Sequence, residues 1–343
     1  MKPATRPRPA ALEARLLRVD PVSWAIRDVA LERLAAQFRP GDLLVLNDAA
    51  TLPASLAARA EDGATLEVRL AGPAGGNNTW TAVLFGEGTW RTRTEHRAAP
   101  RPLARGAALA FGDDLGARVS AVSTLSPRLV QLTFDRDDEA LWSALYRHGR
   151  PVQYSHLAED LDLWDVQTSF AGRPWSVETP SAARPLNTAA LAGLRAHGVA
   201  IASVTHAAGL SATGDVAIDR ALPLPERSEV PADTVEAVAA ARERGERVIA
   251  AGTSTVRALE ANALAHGGAL RAACGMAGLR IGSGFVPRIV QGLLTGMHEA
   301  GTSHFELLTA FAPRTLLGLA LSHARDHGYV GEEFGDAMLL LNY

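Results

Sequence analysis

The stretch RVIAAGTSTVRALE, Arg247 to Glu260, reads as an apolar strand running into a Gly-Thr-Ser-Thr turn that opens a helix carrying Arg257 and Glu260. Gly252 permits a close backbone approach. The hydroxyls of Thr253, Ser254 and Thr255 can cap the helix or hold a polar ligand, and the free N–H groups at the helix start attract negative charge. A plain capped junction between strand and helix is the ordinary reading of the same residues. On either reading this step from strand to helix points to an α/β chain.

The same rhythm extends on both sides of it. Beyond Pro151, Asn187 or Thr188 can cap a helix that contains Leu191 and Leu194 and ends at Gly198, and VAIASV (199–204) follows as a strand. Asp233 can cap a second helix through Arg244, with Gly245 as its terminator. Helix and strand then alternate to the end, which indicates a layered α/β sandwich. Near the start, Leu31, Leu34, Ala35 and Phe38 have helical spacing over 29–38, and DLLVLN (42–47) is a buried strand.

Between Thr65 and Phe134 the pattern changes to short apolar or alternating runs, LEVRL, WTAVLF, ARVSAVS and RLVQLTF, separated by Gly, Pro, Asn and Asp. This is an all-β insertion, a small barrel or sandwich. The expected organisation is an α/β main domain from 1–52 and 146–343, interrupted by a β-barrel-like domain at 53–145.

Composition bounds the function. The 343 residues suffice for two domains, and 47% hydrophobic with 21% charged residues is the balance of a globular protein. A formal net charge of −3 gives no global nucleic-acid footprint but leaves room for a local basic patch. Cys274 is the single cysteine, which excludes an intrachain disulfide and a cysteine-based zinc knuckle and suits a reducing cytoplasm. The opening MKPATRPRPA lacks the apolar core of a secretory signal and is expected to be a disordered tail. No apolar run reaches the ~20 residues of a membrane span. A cytoplasmic monomer is expected.

Several polar residues fall where ligand sites form. Asn47 and Asp48 follow the strand DLLVL, and a polar pair at a strand's C-terminal end can face a ligand crevice, although an Asx turn uses the same residues. Arg257 and Glu260 lie three apart on one helix and can pair with each other. His298 sits in LLTGMHEAGTSHFELLTAF (293–311), where a loop histidine can handle protons or bond to backbone. His323 and His327 have the spacing of metal ligands, but HARDH lacks the glutamate of a zincin and the sequence offers no third ligand, so an exposed helix face is expected and no metal site. The chain contains no Walker loop, GxGxxG, GxSxG elbow or CxxC pair.

The segments GDLLVLNDAATLPASL (41–56), DVQTSFAG (165–172), WSVETPSA (175–182), GVAIASVT (198–205), VIAAGTSTVRALE (248–260) and GDAMLLL (335–341) occur in an order that resembles the S-adenosylmethionine:tRNA ribosyltransferase-isomerase family of queuosine biosynthesis. The resemblance implies an α/β domain interrupted by a β-barrel. It implies transfer of the ribosyl part of S-adenosylmethionine to 7-aminomethyl-7-deazaguanine in tRNA, with rearrangement to an epoxycyclopentanediol and release of adenine and methionine. S-adenosylmethionine would be a substrate, no cofactor would be permanently bound, and tRNA would be the partner.

By the same resemblance, His298 and Asp48 are the catalytic candidates. Asn47, Gln167, Pro180, Ser181, Thr205, Gly252, Thr253, Ser254, Thr255, Arg257 and Glu260 are the substrate-binding candidates. Arg257 and Glu260 match an Arg and a Glu of the family, and His298 falls at a family His. The chain departs from the family's pattern at Ala49, Ala50 and Ser55, at Pro185 and Ala207 where the family has His, and at Gly296, Ala300 and Gly301. Ala50, Ser55 and Gly301 replace residues capable of phosphate contact, so a weak, salt-insensitive tRNA complex is expected. Two alternatives follow from these departures: a relative that uses S-adenosylmethionine with a non-tRNA acceptor, and a non-catalytic ligand-binding relative.

Overall fold

The computed structural model describes residues 1–8 and 13–342. Its centre is a nine-stranded mixed sheet built from β1 (Arg15–Val19), β2 (Ile26–Ala30), β3 (Leu43–Asn47), β10 (Ala200–His206), β11 (Glu226–Val230), β12 (Val248–Ala251), β13 (Ala273–Ala277), β14 (Gly292–Gly296) and β15 (Ala337–Leu340), with β4 to β9 forming a separate barrel. The order across the sheet is β13-β11-β10-β3-β12-β14-β15-β1-β2. The four middle strands, β10, β3, β12 and β14, run parallel, and the flanking strands add antiparallel pairs on both sides.

Alternation along β3 explains why both faces are covered. Leu43 and Val45 pack with α4 (Ala232–Glu243), α5 (Thr253–Ala265), α6 (Ser303–Leu308) and α7 (Arg314–Asp326), while Leu44 and Leu46 meet α2 (Thr188–Ala196) and the 3-10 turns near Leu31 and Leu34. Parallel strands buried on both faces need continuous apolar runs, and LLVL and VIAA supply them.

The insertion is a closed six-stranded antiparallel barrel. Strands β4 (Ser55–Ala60), β5 (Thr65–Pro73), β6 (Thr79–Phe85), β7 (Ala108–Phe111), β8 (Leu115–Val122) and β9 (Leu129–Phe134) pair in the order β4-β5-β6-β9-β8-β7, and Arg59 and Ala60 of β4 close it on Ala110 and Leu109 of β7. Closure removes the unpaired edges that a small open sheet would expose. Helix α1 (Asp138–His148) covers the barrel through Leu141, Ala144 and Leu145. Leu210, Ile218 and Leu222, which follow β10, enter the same core and bind barrel to sheet.

Two of the three local expectations that follow are corrected and one is met. Residues 29–38 form no α-helix: Val29 and Ala30 belong to β2, and two 3-10 turns, Leu31–Arg33 and Ala35–Gln37, bury Leu31, Leu34 and Phe38. Pairing of β2 with β1 captures the backbone that the helix would have used. Asp233 does not cap α4, whose N-cap is Pro231; it lies in the first turn, where its charge favours the positive end of the helix. Asn187 does cap α2, accepting from Ala190 N at 2.8 Å.

The amino-terminal segment is also ordered through residue 8. Lys2 and Pro3 pair in parallel with Val330 and Gly331, and Arg8 reaches the buried carboxylate of Asp336 at 2.8 Å. An ion pair with a buried acid holds the segment where composition alone suggested a loose tail. Residues 9 and 10 of that stretch lie outside the described residues.

Candidate active site

The parallel strands β10, β3, β12 and β14 lie side by side, and polar residues at or just past their C-terminal ends fall along one edge of the sheet. From these ends come Thr205 and His206, Asn47 and Asp48, Gly252 to Thr255, and Thr295 with His298.

Asn47 is fully buried and welds three of the strand ends together. Its amide donates to His206 O at 2.9 Å and to Ser254 Oγ at 3.2 Å, while its oxygen accepts from His206 N at 2.9 Å and Ala49 N at 3.1 Å. Asp48 follows half-buried, accepting from Thr205 Oγ1 at 2.6 Å and Ser203 Oγ at 2.9 Å. Two hydroxyls therefore aim one carboxylate. Arg173 joins this group by donating to Thr205 Oγ1 and, at 2.6 Å, to Glu229.

Gly252 has φ +94, a conformation that only glycine adopts without strain, and a Cβ there would meet the Ala182 methyl at 3.6 Å. The loop is thus roofed by the 3-10 turn Ser181–Ala183, which follows buried Pro180. Thr253 and Ser254 are half-buried, whereas Thr255 is buried and donates to Ala251 O at 2.7 Å. Gln167 grips the backbone of Thr51 from both sides, at 2.9 Å each, and fixes the segment after Asp48.

Arg257 and Glu260 do not pair with each other. Arg257 donates to the Glu226 carboxylate and to the carbonyls of Leu279 at 3.1 Å and Ala277 at 3.1 Å. Glu260 instead accepts the backbone N–H groups of Arg288, Ile289 and Val290 at 2.9, 2.9 and 3.0 Å. The buried end of α5 aims the two side chains at different neighbours, which spacing along a helix cannot disclose. Their hydrogen bonds go to protein groups, so both tie α5 to neighbouring segments.

Glu226 also accepts from His206 Nε2 at 2.7 Å and from Gly209 N at 2.7 Å. Burial would raise this carboxyl, but the His206 imidazole and the Arg257 guanidinium bring it below the usual carboxylate range. His206 and Thr205 point to opposite faces of β10, as strand geometry requires, and His206 Nδ1 has no hydrogen-bond partner among the described residues.

His298 stacks on His304 with ring centroids 4.8 Å apart, and its Nε2 lies 3.0 Å from Thr295 Oγ1. Burial pushes the His298 imidazole well below its ordinary value, and His304 adds to the effect. His304 is lowered by burial too, with Glu226 opposing and Arg257 reinforcing. A neutral imidazole results at neutral pH, able to accept a proton.

On the other flank, the Tyr154 hydroxyl donates to Glu178, which also accepts from Ser211 N at 2.9 Å. Burial raises the Glu178 carboxyl to about 7, against these hydrogen bonds. Burial likewise lowers Arg184 to about 10, with Asp165 and Glu333 opposing. The Trp175 ring has two guanidinium groups over it, Arg227 at 3.7 Å and Arg173 at 4.5 Å from its centroid.

Sequence reasoning did not single out Glu226, His304, Arg173, Trp175, Arg227, Tyr154 or Glu178. One signal was available: Glu226 opens an alternating strand at an inward position, and a buried carboxylate demands a cationic partner. The expectation of no third ligand for His323 and His327 is corrected as well, because the β1-β2 hairpin brings Asp28 to within 2.9 Å of His323 Nε2.

The profile of the family described as queuosine biosynthesis protein matches residues 2–340 of this chain. The chain belongs to the queuosine biosynthesis protein family. Within it, the chain is 37% identical to the S-adenosylmethionine:tRNA ribosyltransferase-isomerase of Synechococcus sp. (strain RCC307), over 98% of this chain and 91% of that protein. The enzyme of the same name from Anaeromyxobacter sp. (strain Fw109-5) is 34% identical, over 96% and 92%. The fold matches the crystal structure of S-adenosylmethionine tRNA ribosyltransferase from Thermotoga maritima with TM-score 0.54 at 24% identity, covering 99% of this chain and 96% of that one. Among the described residues no helix is long and apolar enough to cross a membrane.

Proposed function

We propose that this member of the family is an S-adenosylmethionine:tRNA ribosyltransferase-isomerase, moving the ribosyl part of S-adenosylmethionine to 7-aminomethyl-7-deazaguanine in tRNA with release of adenine and methionine. The observation that carries this reading is the placement of Asp48, the Gly252 loop and His298 after three adjacent parallel strands, β3, β12 and β14, in a chain whose relatives of that name match nearly end to end. The alternatives, a non-tRNA acceptor or a non-catalytic scaffold, are not favoured by those relatives.

The reaction makes three demands: a base for the acidic carbon beside the sulfonium, a setting for the positive sulfur free of an unscreened cation, and a proton for departing adenine. His298 fits the first two. Burial keeps it neutral in the resting site, so no cation stands beside the sulfonium before the proton moves, and its ring nitrogen is the candidate acceptor. Asp48, aimed by Ser203 and Thr205, supplies negative charge or a hydrogen-bond acceptor on the opposite wall. Gly252, Thr253 and Ser254 line the floor, with Ser181 on the roof. Asn47, Gln167, Thr255, Arg257 and Glu260 hold these groups in place.

The acceptor nucleotide would meet the Arg173, Trp175 and Arg227 cluster, where an aromatic face and two cations suit a base and its phosphate. The protein is taken to act as a monomer in the cytoplasm. Incubation with S-adenosylmethionine, with and without tRNA carrying 7-aminomethyl-7-deazaguanine, tests the proposal. Adenine and methionine should appear only with the tRNA, and a folded sample that releases neither would defeat it.

A further inference from the structure

The last turn of α7 and the residue after it carry His323 and His327, whose rings stack with centroids 3.9 Å apart and planes 17° from parallel. Asp28, on the outermost strand β2, places Oδ2 2.9 Å from His323 Nε2. Each of the three residues offers a donor atom within 4.8 Å of the other two. Around a tetrahedral ion with bonds of ~2.0–2.1 Å, ligand atoms sit about 3.4 Å apart. To share an ion the two stacked imidazoles turn out of their parallel arrangement until both ring planes contain it, and the exposed or half-buried position of all three side chains permits that turn.

Two of the other polar atoms, His327 Nδ1 and Asp28 Oδ1, are bound in a way that suits ligation. His327 Nδ1 lies 2.8 Å from the His323 carbonyl and donates to it, which leaves the Nε2 lone pair for a metal. Asp28 Oδ1 accepts from the Tyr329 hydroxyl at 2.7 Å, which leaves Oδ2 facing the imidazoles. The carbonyl end of α7 adds its negative potential. Arg15 is the opposing charge, but its guanidinium is committed to the His327 carbonyl at 2.8 Å and to Asp336 at 3.4 Å.

We propose that Asp28, His323 and His327 form a binding site for a divalent transition metal, with zinc best matched to two imidazoles and one carboxylate and water completing the shell. The site clips the edge strand β2 to α7. Two strands, β1 and β15, separate β2 from β14 and the candidate active site, so the metal is structural and takes no part in the reaction.

The test is calorimetric titration of the chelator-stripped full chain with zinc, alongside its thermal unfolding and the visible spectrum of its cobalt complex. One zinc should bind, raise the Tm and be lost in the double variant His323→Gln/His327→Gln. It should persist in His156→Gln, which disables another cluster of donors, His156 with Glu332 and Glu333. Tyr329→Phe, which frees the carboxylate behind the site without touching a ligand, should weaken binding ~10–100-fold. Equal binding and equal Tm shift in the double variant, or no zinc bound by the folded wild-type chain at millimolar concentration, would overturn the proposal.

Discussion

Arg257 closes on Glu226, 31 residues earlier in the chain, rather than on Glu260 one helical turn away. Both partners are nearly inaccessible, and the same carboxylate also accepts from His206. The pair pins α5 against β11.

Removing one partner of this pair strands a buried charge. Arg257→Ala should cost ~3–5 kcal/mol in urea unfolding, whereas exchanging both partners for apolar residues of similar volume should cost far less. A loss below about 1 kcal/mol for Arg257→Ala would show that water screens the pair. Because Glu226 is held below the ordinary carboxylate range, its contribution is present above about pH 4.5 and disappears as pH falls through the folded value. The acid unfolding limb of Glu226→Gln should therefore be shallower than that of the wild type.

Glu178 has the opposite sign. Its carboxyl ionises near 7 in the folded chain against 4.5 as the ordinary value, so its stabilisation is complete below about pH 4.5 and is lost as pH rises toward 7. Glu178→Gln, which keeps a partner for the Tyr154 hydroxyl, should flatten the stability profile between those values. A mutant profile parallel to the wild type would place the titration elsewhere.

His298→Gln should lower kcat by ~10²–10⁴-fold with little change in S-adenosylmethionine binding, as expected for a lost proton acceptor. The low basicity of His298 adds a pH signature: no loss of activity from its protonation between pH 6 and 8. A wild-type rate falling tenfold per unit below pH 7, with that limb abolished in the mutant, would contradict the environment described for this ring.

Trp175→Ala should weaken tRNA binding by the worth of one stacked base, ~1–3 kcal/mol, while S-adenosylmethionine affinity is unchanged. Arg227→Ala should flatten the dependence of log K on log salt by roughly 0.7–0.9. Fluorescence anisotropy at several salt concentrations measures both effects. An unchanged slope would leave Arg227 as a partner of Trp175 alone.

Glu260→Ala removes the acceptor of three backbone N–H groups at 288–290. Each buried donor left unpaired costs ~1–3 kcal/mol, so the loss should exceed that of a simple surface truncation, and hydrogen exchange should rise first at those three amides. Protection unchanged at 288–290 would show that other acceptors replace the carboxylate.

Much of this architecture was legible one-dimensionally. Strand periodicity, the glycine of the strand-to-helix loop and the capping Asn187 are local properties, and residues within one turn or one strand decide them. The strand ends that carry Asp48, the Gly252 loop and His298 were legible as successive strand-to-loop steps, and neighbouring parallel strands bring such ends to one edge of the sheet. Expectations failed where the partner was distant in sequence: Arg257 with Glu226, Glu260 with the backbone at 288–290, and Arg8 with Asp336.

The sequence by itself therefore determined the α/β layering, the all-β insertion and the family, since hydrophobic period and short motifs are written in consecutive residues. The tertiary structure alone decided the closure of the barrel through Arg59 and Ala60 and the carboxylate shared by His206 and Arg257. It also decided the stacking of His298 on His304 and the meeting of Asp28 with the α7 histidines. These are pairings between buried or facing side chains brought from separate elements. Their energies depend on distance in space and on exclusion of water, and neither quantity has a signature in the linear order of residues.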